Sequence, residues 1–345
     1  VWVGDLLPEV MTINNVFGEQ EVVYKSLDFA RDDTPFPGWM NGMCSYSLWW
    51  IIIQKDLYMY QGNLDYLKSQ RDYLLRLVKQ IDERIDENGV ERLDGIRFLD
   101  WPTSENQNVI HSGLQSLSFM AMKAAVQIGE YIGDRDMIRM ASSCLERMKG
   151  VAVDAHDNSQ AAALNIISGL STDPEKDCET ILKNGLDGFG YYMLEALAML
   201  GKYDEALDFI STYWGAMLDL GATTFWEDLK YADVANAARI DEIVPPGKHD
   251  IHAGGGAYCY KGLRLSLCHG WASGPTSWLT RHVLGIVPIE PGCRVLQVKP
   301  NLGPLQSVKG TFPTPYGIVT VSCTKNGRGK VVCDIQAPKG VKIVR

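Results

Sequence analysis

The stretch Gly221-Ala222-Thr223-Thr224-Phe225-Trp226-Glu227-Asp228-Leu229 sets an aromatic ring directly before two carboxylates, at the end of a turn of small residues. Gly221 opens backbone conformations closed to other residues, and Thr223 and Thr224 can bond the local backbone and fix the loop. Trp226 beside Glu227 joins a flat apolar surface to a group that can take a proton. A sugar ring has the matching shape, with apolar C–H faces and a polar rim. An aromatic platform plus one aimed carboxylate is the usual chemistry of a glycosidase subsite. The same spacing, Thr224 followed three residues on by Glu227, is also that of a helix capping box. From these residues alone both readings stand.

Other residues could contribute to such a site. Thr34-Pro35-Phe36-Pro37-Gly38-Trp39 is a loop stiffened by two prolines, and it either presents Trp39 or buries it beneath the loop. Phe98-Leu99-Asp100-Trp101-Pro102 offers an Asp-Trp pair locked by a proline, which suits a substrate platform or a loop anchor equally. His249, Asp250 and His252 sit in a loop without further ligand-type residues at metal spacing, so no metal is expected. Gly254-Gly255-Gly256 lacks the preceding strand, following helix and Lys-Ser/Thr of a phosphate loop. None of the eight cysteines shows Cys-x-x-Cys spacing. Cys44, Cys144 and Cys178 fall in helical patterns as buried apolar residues. Cys323 and Cys333 flank a hairpin, but an Asn326-Gly327 turn favours a register that does not pair them, so no disulfide is expected.

The elements that must position these groups are mostly helical. The chain has 345 residues, 46% of them hydrophobic and 22% charged, as in ordinary globular proteins. Its net charge of −9 repels phosphate backbones and argues against a nucleic-acid partner. Its longest apolar run, Ser47 to Ile53, is far short of a bilayer span. Apolar residues recur at helical spacing over roughly 6–31 (broken near Gly18), 41–61, 64–87, 109–132, 135–153, 159–167, 175–183, 189–200, 203–214 and 277–284. Connections are short, so successive helices lie antiparallel. From Ile286 the pattern turns to β-branched alternation punctuated by Gly and Pro. The expectation is an all-α (α/α)6 toroid over 1–284 followed by a small antiparallel β-sandwich domain over 285–345, docked on the helices because so few residues are marginal alone.

Three stretches in order carry a family resemblance. Gly221 to Glu227 resembles the segment bearing the catalytic base of the α-L-rhamnosidases of glycoside hydrolase family 78. Val1-Trp2-Val3-Gly4-Asp5 resembles the end of that family's Trp-x-Gly-Asp motif, and Leu267-Cys268-His269-Gly270-Trp271 its later His-containing segment. The resemblance implies inverting hydrolysis of terminal α-L-rhamnose without a cofactor, with Glu227 as general base. It implies that Asp5 and Asp100 hold sugar hydroxyls, that His269 donates to one, and that Trp2, Trp39, Trp101 and Trp226 supply stacking and shape. It places the general acid before Val1. The chain is therefore expected to be a fragment whose ring lacks a helix pair, inactive by itself on ordinary rhamnosides, with Glu9 and Asp100 the places to look if it is not. The expected partner is a rhamnose-containing oligosaccharide or glycoside. Oligomeric state is not legible, and the compartment (periplasmic, secreted or cytoplasmic in a bacterium) is left open. Other α/α-toroid enzymes are alternatives: a glucoamylase-like hydrolase, or a polysaccharide lyase using Tyr258 or Tyr260 near His269. So is a non-catalytic sugar-binding protein.

Overall fold

A computed structural model describes residues 1–185, 190–254, 256 and 262–345. Helices fill it to Val283 and strands begin at Ile286. The helices are α1 Val3–Val16, α2 Glu21–Asp32, α3 Cys44–Gln61, α4 Leu64–Ser69, α5 Arg71–Asp82, α6 Gln107–Ile132 and α7 Arg135–Met148. After these come α8 Ser159–Ser168, α9 Pro174–Asn184, α10 Gly190–Met199, α11 Tyr203–Phe209, α12 Gly215–Asp219, α13 Ile251–Gly254 and α14 Gly274–Trp278. Side chains of Asn63, Asn106, Asp134, Asn158 and Asp173 accept backbone N–H groups at the starts of α4, α6, α7, α8 and α9. These caps satisfy donors that a helix leaves open at its first turn.

Two kinds of helix alternate. α3, α8 and α10 are buried nearly all round, which fits helices inside a larger body. α5, α7 and α9 bury one stripe, such as Leu74, Leu77, Val78 and Ile81 of α5. The inner helices α1, α3, α6, α8, α10 and α14 each pack on the next, and α14 packs back on α1. Among the described residues the inner ring therefore closes around six positions. The short helix α14 with the π-helical turn Leu279–Val283 that continues it fills the sixth inner position. At the seam between this turn and α1, strand β3 (Ser307–Thr314) packs against both.

Helix boundaries differ from the sequence pattern where tertiary bonds intervene. The expected helix over 64–87 breaks at Gln70. Its buried side chain accepts from Arg31 at 2.6 Å and donates to Asp28 at 3.0 Å, tying the break to α2. The helix expected over 203–214 runs on as a π-helical turn, Ile210–Trp214, and then α12.

The β part holds two three-stranded sheets. The first orders β1 (Ile286–Pro288), β2 (Val295–Val298) and β6 (Lys342–Val344), with β2 and β6 parallel. The second is an antiparallel meander of β3, β4 (Gly317–Lys325) and β5 (Val331–Gln336). Here the cysteine expectation fails: Cys323 and Cys333 face each other across β4 and β5 and form a disulfide. The turn is longer than an Asn-Gly pair. The Asn326 side chain accepts the N–H groups of Arg328 and Lys330, both at 3.0 Å, and this sets Lys325 opposite Val331. The β part is seated on the ring through Phe312, whose ring lies 6.0 Å from Tyr60 of α3. Gly62 and Gly292 meet nearby at positive φ, and a Cβ on Gly62 would lie 2.7 Å from the Gly292 Cα.

Candidate active site

The N-terminal ends of the inner helices gather at one end of the ring, around a cavity of about 240 Å³. The start of α1 supplies Trp2, Gly4 and Asp5, and the start of α3 supplies Met43 and Tyr46. The loop before α6 supplies Phe98, Leu99, Asp100 and Trp101. Glu227 and the approach to α14, with Arg264, His269 and Trp271, complete the wall. Gly4 is needed here, because a Cβ on it would lie 2.3 Å from the Tyr46 ring. Gln160, in the first turn of α8, donates to Asp100 at 3.1 Å. Tyr192, near the start of α10, packs on Trp271.

Glu227 is held by a short two-way ladder. Its N–H donates to the Ser266 carbonyl at 2.9 Å, and its Oε2 accepts the Ser266 N–H at 3.1 Å. The His269 N–H donates to Phe225 O at 2.8 Å, and the Thr224 hydroxyl donates to Leu267 O. The capping-box reading is thereby set aside, since Thr224 and Glu227 cap no helix and bind the 266–269 loop instead. This lattice fixes Glu227 and His269 to one another, although 42 positions separate them.

His269 stands between two carboxylates, with its Nε2 3.7 Å from Asp5 and 4.0 Å from Glu227. Burial alone would lower its pKa, but Asp5, Glu227 and Glu9 outweigh that and raise it. Glu9 lies one turn beyond Asp5 on α1. A Cβ on Gly270 would lie 2.5 Å from its Oε1, so its carboxyl packs under the residue after His269. Burial, and then the charge of Asp5, push Glu9 up to about 7. Asp100 is also raised to about 7, first by burial, against the opposing bond from the Trp101 N–H at 2.8 Å.

Of the residues singled out from sequence, Trp2, Asp5, Asp100, Trp101, Glu227 and His269 line the cavity, while Trp39 and Trp226 do not. Trp39 is 7% exposed and its Nε1 donates to Asp94 at 2.7 Å, beneath the Arg84 guanidinium. It anchors a loop because its buried indole N–H needs a partner and Asp94 provides one. Trp226 is 0% exposed and points behind Glu227, toward Tyr213 and Trp214. Trp226 therefore lies in the core rather than on the cavity wall. Tyr258 and Tyr260 lie outside the described residues. Tyr46, Arg264 and Trp271 were not singled out. Tyr46 follows the same helical spacing as core residues, and Arg264 has no neighbouring motif. Trp271 stood in the quoted His-Gly-Trp stretch and was the one with a usable signal.

Residues 285–344 match the family described as the bacterial alpha-L-rhamnosidase C-terminal domain. The whole chain superposes on the family 78 rhamnosidase of Bacillus sp. GL1 at TM-score 0.73 and 22% identity, covering 99% of this chain and 38% of that one. It superposes on the α-L-rhamnosidase of Streptomyces avermitilis, solved with L-rhamnose, at TM-score 0.75 and 16% identity, covering 99% and 34%. The fold is that of the α-L-rhamnosidases. A rhamnosidase from Klebsiella oxytoca with rhamnose bound matches 81% of the chain and 57% of its own length, at TM-score 0.61 and 19% identity. The chain thus spans well under half of the first two of these α-L-rhamnosidases. A sequence search of curated proteins gives no match. Within this α-L-rhamnosidase fold the three segments that carried the resemblance meet at the one cavity.

Proposed function

We propose that the chain forms the catalytic part of an α-L-rhamnosidase that hydrolyses terminal α-L-rhamnose from a glycoside with inversion, with Glu227 as general base. The carrying observation is the convergence of Glu227, Asp5 and His269, from three distant segments, on a cavity walled by Trp2, Trp101 and Trp271. The reading draws further support from relatives of this fold that were solved with rhamnose.

The chemistry follows from the atoms. Glu227 Oε2 is occupied by the Ser266 N–H, which orients the carboxylate and leaves Oε1 to take a proton from the attacking water. An inverting reaction needs that water on the face opposite the leaving oxygen, with the two carboxyls roughly 6.5–9.5 Å apart. Asp5 and Asp100 accept sugar hydroxyls. His269, biased toward its charged form by the surrounding acids, donates to a hydroxyl and offsets the crowding of negative charge. The attacking water gives its hydroxyl to the sugar and its proton to Glu227, and the leaving oxygen takes its proton from a general acid that is not among the assigned residues. Neither Glu9 nor Asp100 is assigned as the acid. Glu9 is not in the cavity lining, and Asp100 is given the hydroxyl-binding role, its two oxygens each accepting one bond, from the Trp101 N–H and from Gln160, and each keeping a lone pair.

The test is Glu227→Gln, assayed on dinitrophenyl α-L-rhamnoside, whose leaving group needs little protonation. Turnover should fall by about 10²–10⁴, the range for a lost general base, while L-rhamnose still binds. Near-normal turnover by the variant would remove Glu227 from the mechanism. Failure of the unaltered chain to bind L-rhamnose would end the reading.

A further inference from the structure

The segments 224–229 and 266–272 are bonded to each other beside the cavity, and a single helical turn grips both of them from behind. We infer that Tyr213, on that turn, is a positioning residue for Glu227 and holds the base in register through the backbone that follows it. The inference rests on Glu227 being the general base.

The turn is Ile210–Trp214, which is π-helical. Such turns are rare, occur mostly singly within α-helices and are frequent at functional sites. Here the turn sets two neighbouring aromatics against the two segments. The Tyr213 hydroxyl donates to Asp228 Oδ1 at 3.1 Å and accepts the Leu229 N–H at 2.9 Å. The Trp214 Nε1 donates to the Ala272 carbonyl at 3.0 Å. Tyr213 thus holds the chain just after Glu227, and Trp214 holds it just after His269. The two rings meet edge to face with centroids 5.2 Å apart, so each steadies the other.

Burial gives these bonds their weight. Asp228 and Leu229 are both buried, and a buried polar group stripped of a partner costs more than the bond contributes. The packing around them is close. A Cβ on Gly190 would lie 2.6 Å from the Trp214 ring. The space bounded by Tyr213, Trp214, Trp226, Glu227 and Trp271 is about 10 Å³, so the base has little room to retreat. Ser266 bonds Glu227 itself, and Tyr213 bonds the next two residues. Three consecutive residues are therefore tied down, and Glu227 cannot slide along the ladder without breaking a buried bond. A hydroxyl that only completed the packing would behave differently: its loss would weaken the fold and leave the chemistry of folded molecules unchanged.

The test is Tyr213→Phe, which removes the hydroxyl and keeps the ring, made in the full chain alone and together with Glu227→Gln. Turnover is read on dinitrophenyl α-L-rhamnoside, L-rhamnose affinity by calorimetry, and amide exchange by NMR. Tyr213→Phe should lower kcat by roughly 10–10²-fold, as small misplacements of a reacting group do, with L-rhamnose affinity held within about twofold. In the Glu227→Gln background it should add no further loss, because residues that act through one another are not additive. Amide exchange should quicken at Leu229 and, along the same segment, at Glu227 and Ser266. An unchanged kcat, an equal loss in both backgrounds, weakened L-rhamnose affinity, or exchange that quickens at Leu229 alone would overturn the inference and leave the base reading intact. The exchange result decides the matter if the unaltered chain turns over too slowly to compare. Near-normal turnover by Glu227→Gln alone would instead overturn the base reading, and the inference with it.

Discussion

Glu9 shows how one residue couples the site to stability. Its ordinary value is 4.5 and burial carries it to about 7. The folded chain therefore holds this proton to higher pH than the unfolded chain does. More protons bound in the folded state means that stability falls as pH rises. The contribution is fully present below about 4.5 and is lost by the time pH passes about 7. Glu9→Gln should remove this dependence, worth roughly 1–3 kcal/mol after allowance for partial exposure. Denaturant unfolding at pH 5 and pH 8 should show the natural chain losing more stability than the variant between the two, and parallel losses would refute the assignment. The same substitution removes a negative charge that raises His269, so the imidazole pKa followed by NMR should fall.

At the scale of elements, the loop before α6 is held by a buried carboxylate. The Glu91 side chain is 0% exposed. It accepts from Arg97 at 2.6 and 2.9 Å, lies 2.5 Å from His111 Nδ1 on α6, and accepts the Leu93 N–H at 3.0 Å. Gln115 closes the arrangement by accepting the Glu91 N–H and donating to the Gly89 carbonyl. These bonds outweigh the burial and hold the Glu91 carboxyl below the usual range. Arg97→Ala leaves that charge without its main partner, and loss of one partner from a buried pair costs about 3–5 kcal/mol. Arg97 is partly exposed, so the lower end is expected. Because the loop leads straight into Phe98–Trp101, hydrogen exchange at 98–104 should quicken and L-rhamnose affinity should drop. An unchanged unfolding midpoint would show that the carboxylate is served by water and His111 instead.

At the scale of the whole molecule, the ring and the β part share one hydrophobic core. Phe312 is fully buried against Tyr60, Pro313 lies over Gly18, and the Cys293 Sγ donates to the Tyr60 carbonyl at 3.3 Å. Phe312→Ala should cost about 3–5 kcal/mol. Because the lost contact lies at the seam, the loss should appear as separation of one unfolding transition into two, read by calorimetry. A single transition shifted to lower temperature would mean that the two parts unfold together regardless of this residue. Among the described residues no helix is long and apolar enough to cross a membrane.

Sequence by itself determined the elements and the order of the site segments. An all-round apolar run such as Ser47 to Ile53 reads as a buried helix, and a stripe such as Leu74, Leu77, Val78 and Ile81 as a helix with one buried face. The switch to strand patterning at Ile286 was equally local. Asp5, Trp39, Trp101, Glu227 and His269 were expected around one cavity from the order of the motifs, and the closed ring of inner helices brings all of them but Trp39 to one end, with Asp100 beside them. Only the tertiary structure decided the rest. Trp39 and Trp226 look like exposed platforms in a linear chain, yet Asp94 takes one and the core behind Glu227 takes the other. Cys323 and Cys333 pair because Asn326 lengthens their turn. Tyr46 is indistinguishable from a core residue until Gly4 sits against its ring. In each case the deciding partner lies far along the chain or in a turn whose length side-chain bonds set, and spacing carries no record of either.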